Sequence, residues 1–194
     1  MIPSIILNAC IVLLTAGSMA AGVVKLVKTR EKVAPLFRFF TTLSNVFCAL
    51  TATVVIIVWL AAGELPLWAV ILKYSGACAV TVTMMTVLLF LGPISGEWKL
   101  LLTHGELLLH LICPLLAIES FVLFEKRPMP AWALAAGFAP VLLYALLYCR
   151  KVVYAPEEKR WDDFYGFNKG GKWPLSAAMM LIASALIALA LWAA

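Results

Sequence analysis

Long apolar runs alternate with short charged or proline-containing stretches along the whole chain. Six runs stand out: about Pro3–Leu26, Leu36–Ala62, Leu67–Gly92, Leu100–Phe124, Met129–Cys149 and Pro174–Trp192. A helix needs about 20 apolar residues to cross the hydrocarbon core of a bilayer. In lipid every backbone N–H and C=O must be satisfied inside the protein, and a helix does this within one segment. The pattern therefore predicts an all-α polytopic membrane protein. Its fold is expected to be a six-transmembrane-helix bundle in a single domain, residues 1–194. The first run has no basic leader region and outlasts a signal peptide, so it is expected to remain as a helix. Pro66, Pro93, Pro128, Pro130 and Pro174 lie at or near run ends. Pro114 and Pro140 lie inside runs and are expected to kink them, because proline lacks an N–H and crowds the preceding turn.

Composition agrees with the pattern. Of 194 residues, 64% are hydrophobic and 13% charged, against roughly 45–50% and 25% in soluble domains. The net charge of +5 is no sign of nucleic-acid binding, because the basic residues cluster beside the spans. Twelve of the fifteen flank one side: Lys25, Lys28, Arg30, Lys32, Arg38, Lys99, Arg150, Lys151, Lys159, Arg160, Lys169 and Lys172. Lys73, Lys126 and Arg127 fall to the other. Positive charge favours the cytoplasmic side. Both termini are thus expected outside, in a plasma membrane, with a bacterial source suggested by the compact chain. The five cysteines (Cys10, Cys48, Cys78, Cys113 and Cys149) form no C-x-x-C pair and read as small apolar residues.

The one sizeable segment between spans, 150–173, mixes basic residues with Trp161, Phe164, Tyr165, Phe167 and Trp173. That composition suits a membrane interface. The alternative is a lid over a cytoplasmic mouth, with Gly166, Gly170 and Gly171 as hinges.

Polar residues inside the runs mark candidate chemistry, because lipid penalises them. Residues three, four and seven apart share a helix face. Arg38, Thr41, Asn45 and Cys48 form one stripe, with Ser44 beside it. Thr103, Glu106, His110 and Cys113 form a second. Asn8, Thr15, Ser18 and Gly22, and Tyr74, Cys78 and Thr81, form two looser ones. Most such stripes hold helices together by hydrogen bonds. His110 is different. It falls about ten residues into the fourth run, with Glu106 one turn away, where a carboxylate can orient an imidazole and stabilise its charged form. Glu119 is a second carboxylate in the same run. His104, Glu106 and His110 do not converge from one helix, so no metal site is expected.

The run Phe39-Phe40-Thr41-Thr42-Leu43-Ser44-Asn45 resembles the second-helix signature of the androgen-induced protein family and its bacterial relatives, the Pr6Pr-type membrane proteins. The segment Pro114-Leu115-Leu116-Ala117-Ile118-Glu119, with His110 upstream, is similar to that family's histidine-bearing helix. Gly170-Gly171-Lys172-Trp173-Pro174 is similar to its Gly-x-Trp segment. The resemblance implies a six-helix intramembrane hydrolase without a cofactor, cleaving fatty acid esters of hydroxy fatty acids. It would make Thr41 the nucleophile and His110 the base. Thr42 and Ser44 are neighbouring hydroxyls that a one-residue shift would put in that place, and the His110–Pro114 spacing is one residue shorter than in the animal proteins.

The expected activity is hydrolysis of a lipid ester within the bilayer. Ser44 or Asn45 would donate to the oxyanion, Arg38 would hold a substrate carboxylate, and Glu106 and Glu119 would support the site. Two alternatives stay open. The same site could transfer the acyl group to another lipid. Or the protein could carry a lipid or proton, with His110, Glu106 and Glu119 as a relay.

Overall fold

The computed structural model describes residues 1–96, 98, 102 and 104–194. Lys99, Leu100, Leu101 and Thr103 lie outside the described residues, as does the His104 side chain. Among the described residues there is no strand. Six helices are long and apolar enough to cross a membrane: α1 (Ile2–Lys28), α2 (Phe40–Ala62), α3 (Leu67–Leu91), α4 (Gly105–Glu125), α5 (Ala133–Val153) and α6 (Trp173–Ala193). The chain is thus an all-α multi-pass bundle.

α3 is the hub. In its apolar stretch 67% of the residues are buried, against 39% or less in the other five. It packs against α2, α4, α5 and α6, while α1 lies across α2 and α4. Leu13, Leu60, Leu89, Leu143 and Ile182 point outward and are exposed, which lipid tolerates and water would not. Apolar tails offer no hydrophobic drive between helices, so close packing and hydrogen bonds hold the bundle. Tyr74 Oη donates to the Ala188 carbonyl at 2.6 Å and Ser75 Oγ to the Ala136 carbonyl at 2.6 Å. Thr15 Oγ1 meets Cys113 Sγ at 3.7 Å.

Two glycines set how near α3 comes to its neighbours. A Cβ on Gly76 would run into the Thr51 side chain and stand 3.3 Å from Cys48 Cα. A Cβ on Gly137 would stand 2.7 Å from the Tyr74 ring. Overpacking of this kind costs about 1–3 kcal/mol. Gly76→Ala should therefore lower the unfolding temperature in detergent. Gly17→Ala, which meets nothing within 4 Å among the described residues, is the control and should leave it near wild type.

Several boundaries differ from the sequence expectation. The second span starts at Phe40, not Leu36, because Ala34–Arg38 winds as a separate 3-10 turn behind Pro35. Phe39 is extended (φ −84°, ψ 135°) between the two. The fifth span begins at Ala133, not Met129, since Pro130 lacks an N–H and disfavours helix before it. It continues past Cys149 through a widened turn, Cys149–Val153. The fourth span is described over Gly105–Glu125; its expected start at Leu100 lies outside the described residues. The Pro114 irregularity takes the form of a π-helical turn at Leu108–Ile112. Such a turn widens the helix just where the Pro114 ring would crowd the His110 carbonyl.

Lys73 is no flanking charge. It lies inside α3 and is fully buried, leaving Lys126 and Arg127 at that end of the bundle.

Candidate active site

The site forms where α2 and α4 begin. Phe39 offers no side-chain cap, so the first N–H groups of α2 need partners from elsewhere. One partner comes from the segment between α5 and α6. The Phe40 N–H donates to Tyr165 Oη at 2.9 Å. That segment is docked on the bundle. Tyr148 Oη donates to Asp163 Oδ1 at 2.7 Å, and the Asn168 N–H donates to Asp163 Oδ2 at 2.8 Å. Phe164 packs on Phe39 and Tyr148, and Tyr165 stacks with Phe167. Gly166 and Gly170 take φ of 69° and 64°, a region that glycine enters without strain.

Thr41, the second residue of α2, sits on the wall that α2 shares with α4. Thr41 Oγ1 stands 3.4 Å from His110 Nε2. Glu106 Oε2 stands 3.5 Å from the same nitrogen. His110 is buried, while the Glu106 side chain is 54% exposed. This differs from a serine-protease triad, in which the carboxylate holds the far nitrogen of the ring. Here Nε2 can take a proton from Thr41 only when it carries none. The resulting imidazolium then has Glu106 beside its new proton. Glu106 is placed to stabilise the charged ring at Nε2.

The other predicted residues are placed differently. The Asn45 amide N–H groups go to the carbonyls of Thr41 (2.9 Å) and Leu109 (3.0 Å). Asn45 thereby ties α2 to α4 beside the site, and its donors are committed. Its buried Oδ1 has no hydrogen-bond partner among the described residues. Ser44 Oγ lies 3.1 Å from the Thr41 carbonyl and 2.8 Å from Thr83 Oγ1. Neither residue is free to donate to an oxyanion, which corrects that expectation. Arg38 leaves the Thr41 stripe because extended Phe39 breaks the helical register. Its guanidinium lies over the Trp161 ring, 5.7 Å from the centroid. Glu119 is exposed on α4 and joins neither Glu106 nor His110. Thr42 is buried.

Thr41 also lines an apolar pocket, partly open to its surroundings, with Phe40, Thr83, Tyr144, Tyr148 and Tyr165 among mostly aliphatic residues of α3, α5 and α6. A second space of about 680 Å³ between α3 and α6 shares Val82, Thr86, Phe167 and Met180 with it. Burial raises the Tyr165 phenol above its ordinary value, although the Phe40 N–H opposes this. Tyrosine ordinarily titrates near 10, so Tyr165 is protonated at neutral pH.

Tyr165, Lys73 and Glu125 are buried or docked groups that the sequence pattern does not single out. A partial signal for Lys73 was present: a lysine six residues inside an apolar run. Tyr165 carried none beyond its aromatic neighbours. Among the described residues no three His, Cys, Asp or Glu side chains converge. No family model, curated protein or solved structure matches the chain.

Proposed function

We propose that this protein is an intramembrane lipid ester hydrolase with Thr41 as nucleophile and His110 as general base. One observation carries the reading. The Thr41 hydroxyl meets a buried imidazole at 3.4 Å while Thr41 itself lines a mostly apolar pocket. A nucleophile within reach of a base is the basic requirement for acyl transfer. An apolar cavity next to it suits a fatty acyl chain. Fatty acyl esters, including fatty acid esters of hydroxy fatty acids, are the substrate class.

In the first step Thr41 Oγ bonds to the acyl carbon and its proton passes to His110 Nε2. The C=O electron pair moves onto the carbonyl oxygen. That pair then returns, the bond to the alcohol breaks, and His110 protonates the leaving alkoxide. Water next attacks the acyl-threonine carbon and gives its proton to His110. Thr41 leaves as the alcohol with that proton, and the fatty acid is released. Transfer to a lipid alcohol in place of water would use the same residues, and product analysis separates the two. On the positive-inside pattern the Thr41 end faces the cytoplasm of a bacterial plasma membrane, with both termini outside.

The test is covalent labelling of detergent-purified protein with a long-chain fluorophosphonate, read by mass spectrometry. The expected result is one adduct, on Thr41, absent from Thr41→Ala. Folded wild-type protein that takes no label and cleaves no long-chain ester would overturn the reading.

A further inference from the structure

An ester carbonyl attacked by Thr41 gathers negative charge on its oxygen, and that oxygen needs a donor. Neither Asn45 nor Ser44 can supply it, because their donors are committed within the bundle. The donor must stand on the cavity side of Thr41, across from His110. Three tyrosines line that pocket. Tyr144 Oη donates to the Arg38 carbonyl at 2.7 Å. Tyr148 Oη donates to Asp163 Oδ1. Tyr165 Oη instead accepts a hydrogen bond, from the Phe40 N–H at 2.9 Å. Among the described residues it gives its proton to no backbone carbonyl or carboxylate. Tyr165 lines the same pocket as Thr41, and its phenol interacts with the Tyr144 and Thr41 hydroxyls.

We infer that Tyr165 is the oxyanion donor of the proposed hydrolase, so that the segment between α5 and α6 brings a catalytic group to Thr41. The Tyr165 O–H bonds the carbonyl oxygen as the Thr41 Oγ–carbon bond forms, and that hydrogen bond strengthens as charge builds there. The Phe40 N–H holds the phenol oxygen from behind and polarises its O–H toward the substrate. The tyrosine keeps its proton throughout. The inference rests on the hydrolase reading, and it makes the docked segment part of the active site and not only a membrane anchor. An open segment would leave Thr41 and His110 in place but the site without its donor.

The experiment compares wild type, Tyr165→Phe and Thr41→Ala on a chromogenic long-chain acyl ester in detergent, with unfolding temperature measured in parallel. Tyr165→Phe keeps the ring that stacks with Phe167 and removes only the hydroxyl. Its kcat is expected to fall about 100- to 1,000-fold, the usual loss for one oxyanion donor. KM and unfolding temperature should stay close to wild type. A merely structural role would instead move KM or the unfolding temperature and leave kcat within about twofold, and that outcome overturns the inference. If Thr41→Ala keeps full activity, the hydrolase reading itself fails, and the role of Tyr165 fails with it. Loss in Thr41→Ala with none in Tyr165→Phe sinks the Tyr165 inference alone.

Discussion

Replacing His110 with Gln is expected to slow ester cleavage about 100- to 10,000-fold, the range that a positioned general base contributes. A factor of ten in rate corresponds to about 1.4 kcal/mol of barrier, so the loss amounts to about 3–5 kcal/mol. A threonine hydroxyl is a weak nucleophile until a base takes its proton, and Nε2 of His110 is the nitrogen that Thr41 Oγ1 meets. Gln keeps much of the volume and a polar tip in a buried position, so the protein should fold. Thr41→Ala should lose as much, and combining the two should lose little more, because nucleophile and base act as one unit. Glu106→Gln should cost far less, since its carboxylate is half in solvent and its charge is screened. The same series decides between the Thr41 and Ser44 hydroxyls. Ser44→Ala should retain most of the activity, as its Oγ faces Thr83. Full activity in Thr41→Ala with loss in Ser44→Ala would move the nucleophile to Ser44.

Replacing Lys73 with Met is expected to destabilise the protein by about 3–5 kcal/mol, the usual cost of leaving a buried charge without its partner. Lys73 and Glu125 are both buried at the end of the bundle opposite Thr41. The ammonium donates to Asn8 Oδ1 at 2.6 Å and pairs with Glu125 Oε2 at 3.9 Å. Ser4 Oγ donates to Glu125 Oε1 at 2.7 Å, and Asn8 Nδ2 donates to the same oxygen. Four side chains thus bind α1, α3 and α4 in one network. Without Lys73 the carboxylate keeps its two neutral donors but loses its counter-ion. Glu125→Gln should be costly for the converse reason. The double variant Lys73→Met/Glu125→Gln buries no charge and should recover a large part of the loss. Strong non-additivity is the signature of a direct pair. Additive losses in unfolding experiments in detergent would show that the two charges do not depend on each other. The network stands at the far end from Thr41, so variants that still fold should react with the fluorophosphonate as wild type does.

Sequence and structure part company at particular residues. Asn45 looked like an oxyanion donor because it shares a helix face with Thr41. Helical spacing says which side chains share a face but not what the next helix puts against it. That neighbour is the Leu109 carbonyl, and no local pattern announces it. Arg38 was assigned to the same face on the assumption of an unbroken helix, and the extended Phe39 ends that register. Lys73 resembles a flanking charge in the sequence because its partners lie 65 and 52 positions away, in Asn8 and Glu125.

Membership in a six-helix bundle was decided by the sequence alone. Length and apolarity are local quantities, and the bilayer accepts few solutions for a backbone without water. The candidate status of Thr41 and His110 was equally legible, because polar groups in lipid are costly wherever they sit. Only the tertiary structure decided that these two meet at 3.4 Å, that Glu106 serves the same nitrogen, and that Tyr165 reaches Thr41 from a segment more than a hundred residues away. Those contacts depend on crossing angles, on where α2 begins and on the close approaches at Gly76 and Gly137. These are properties of helix pairs, so no single stretch of sequence contains them.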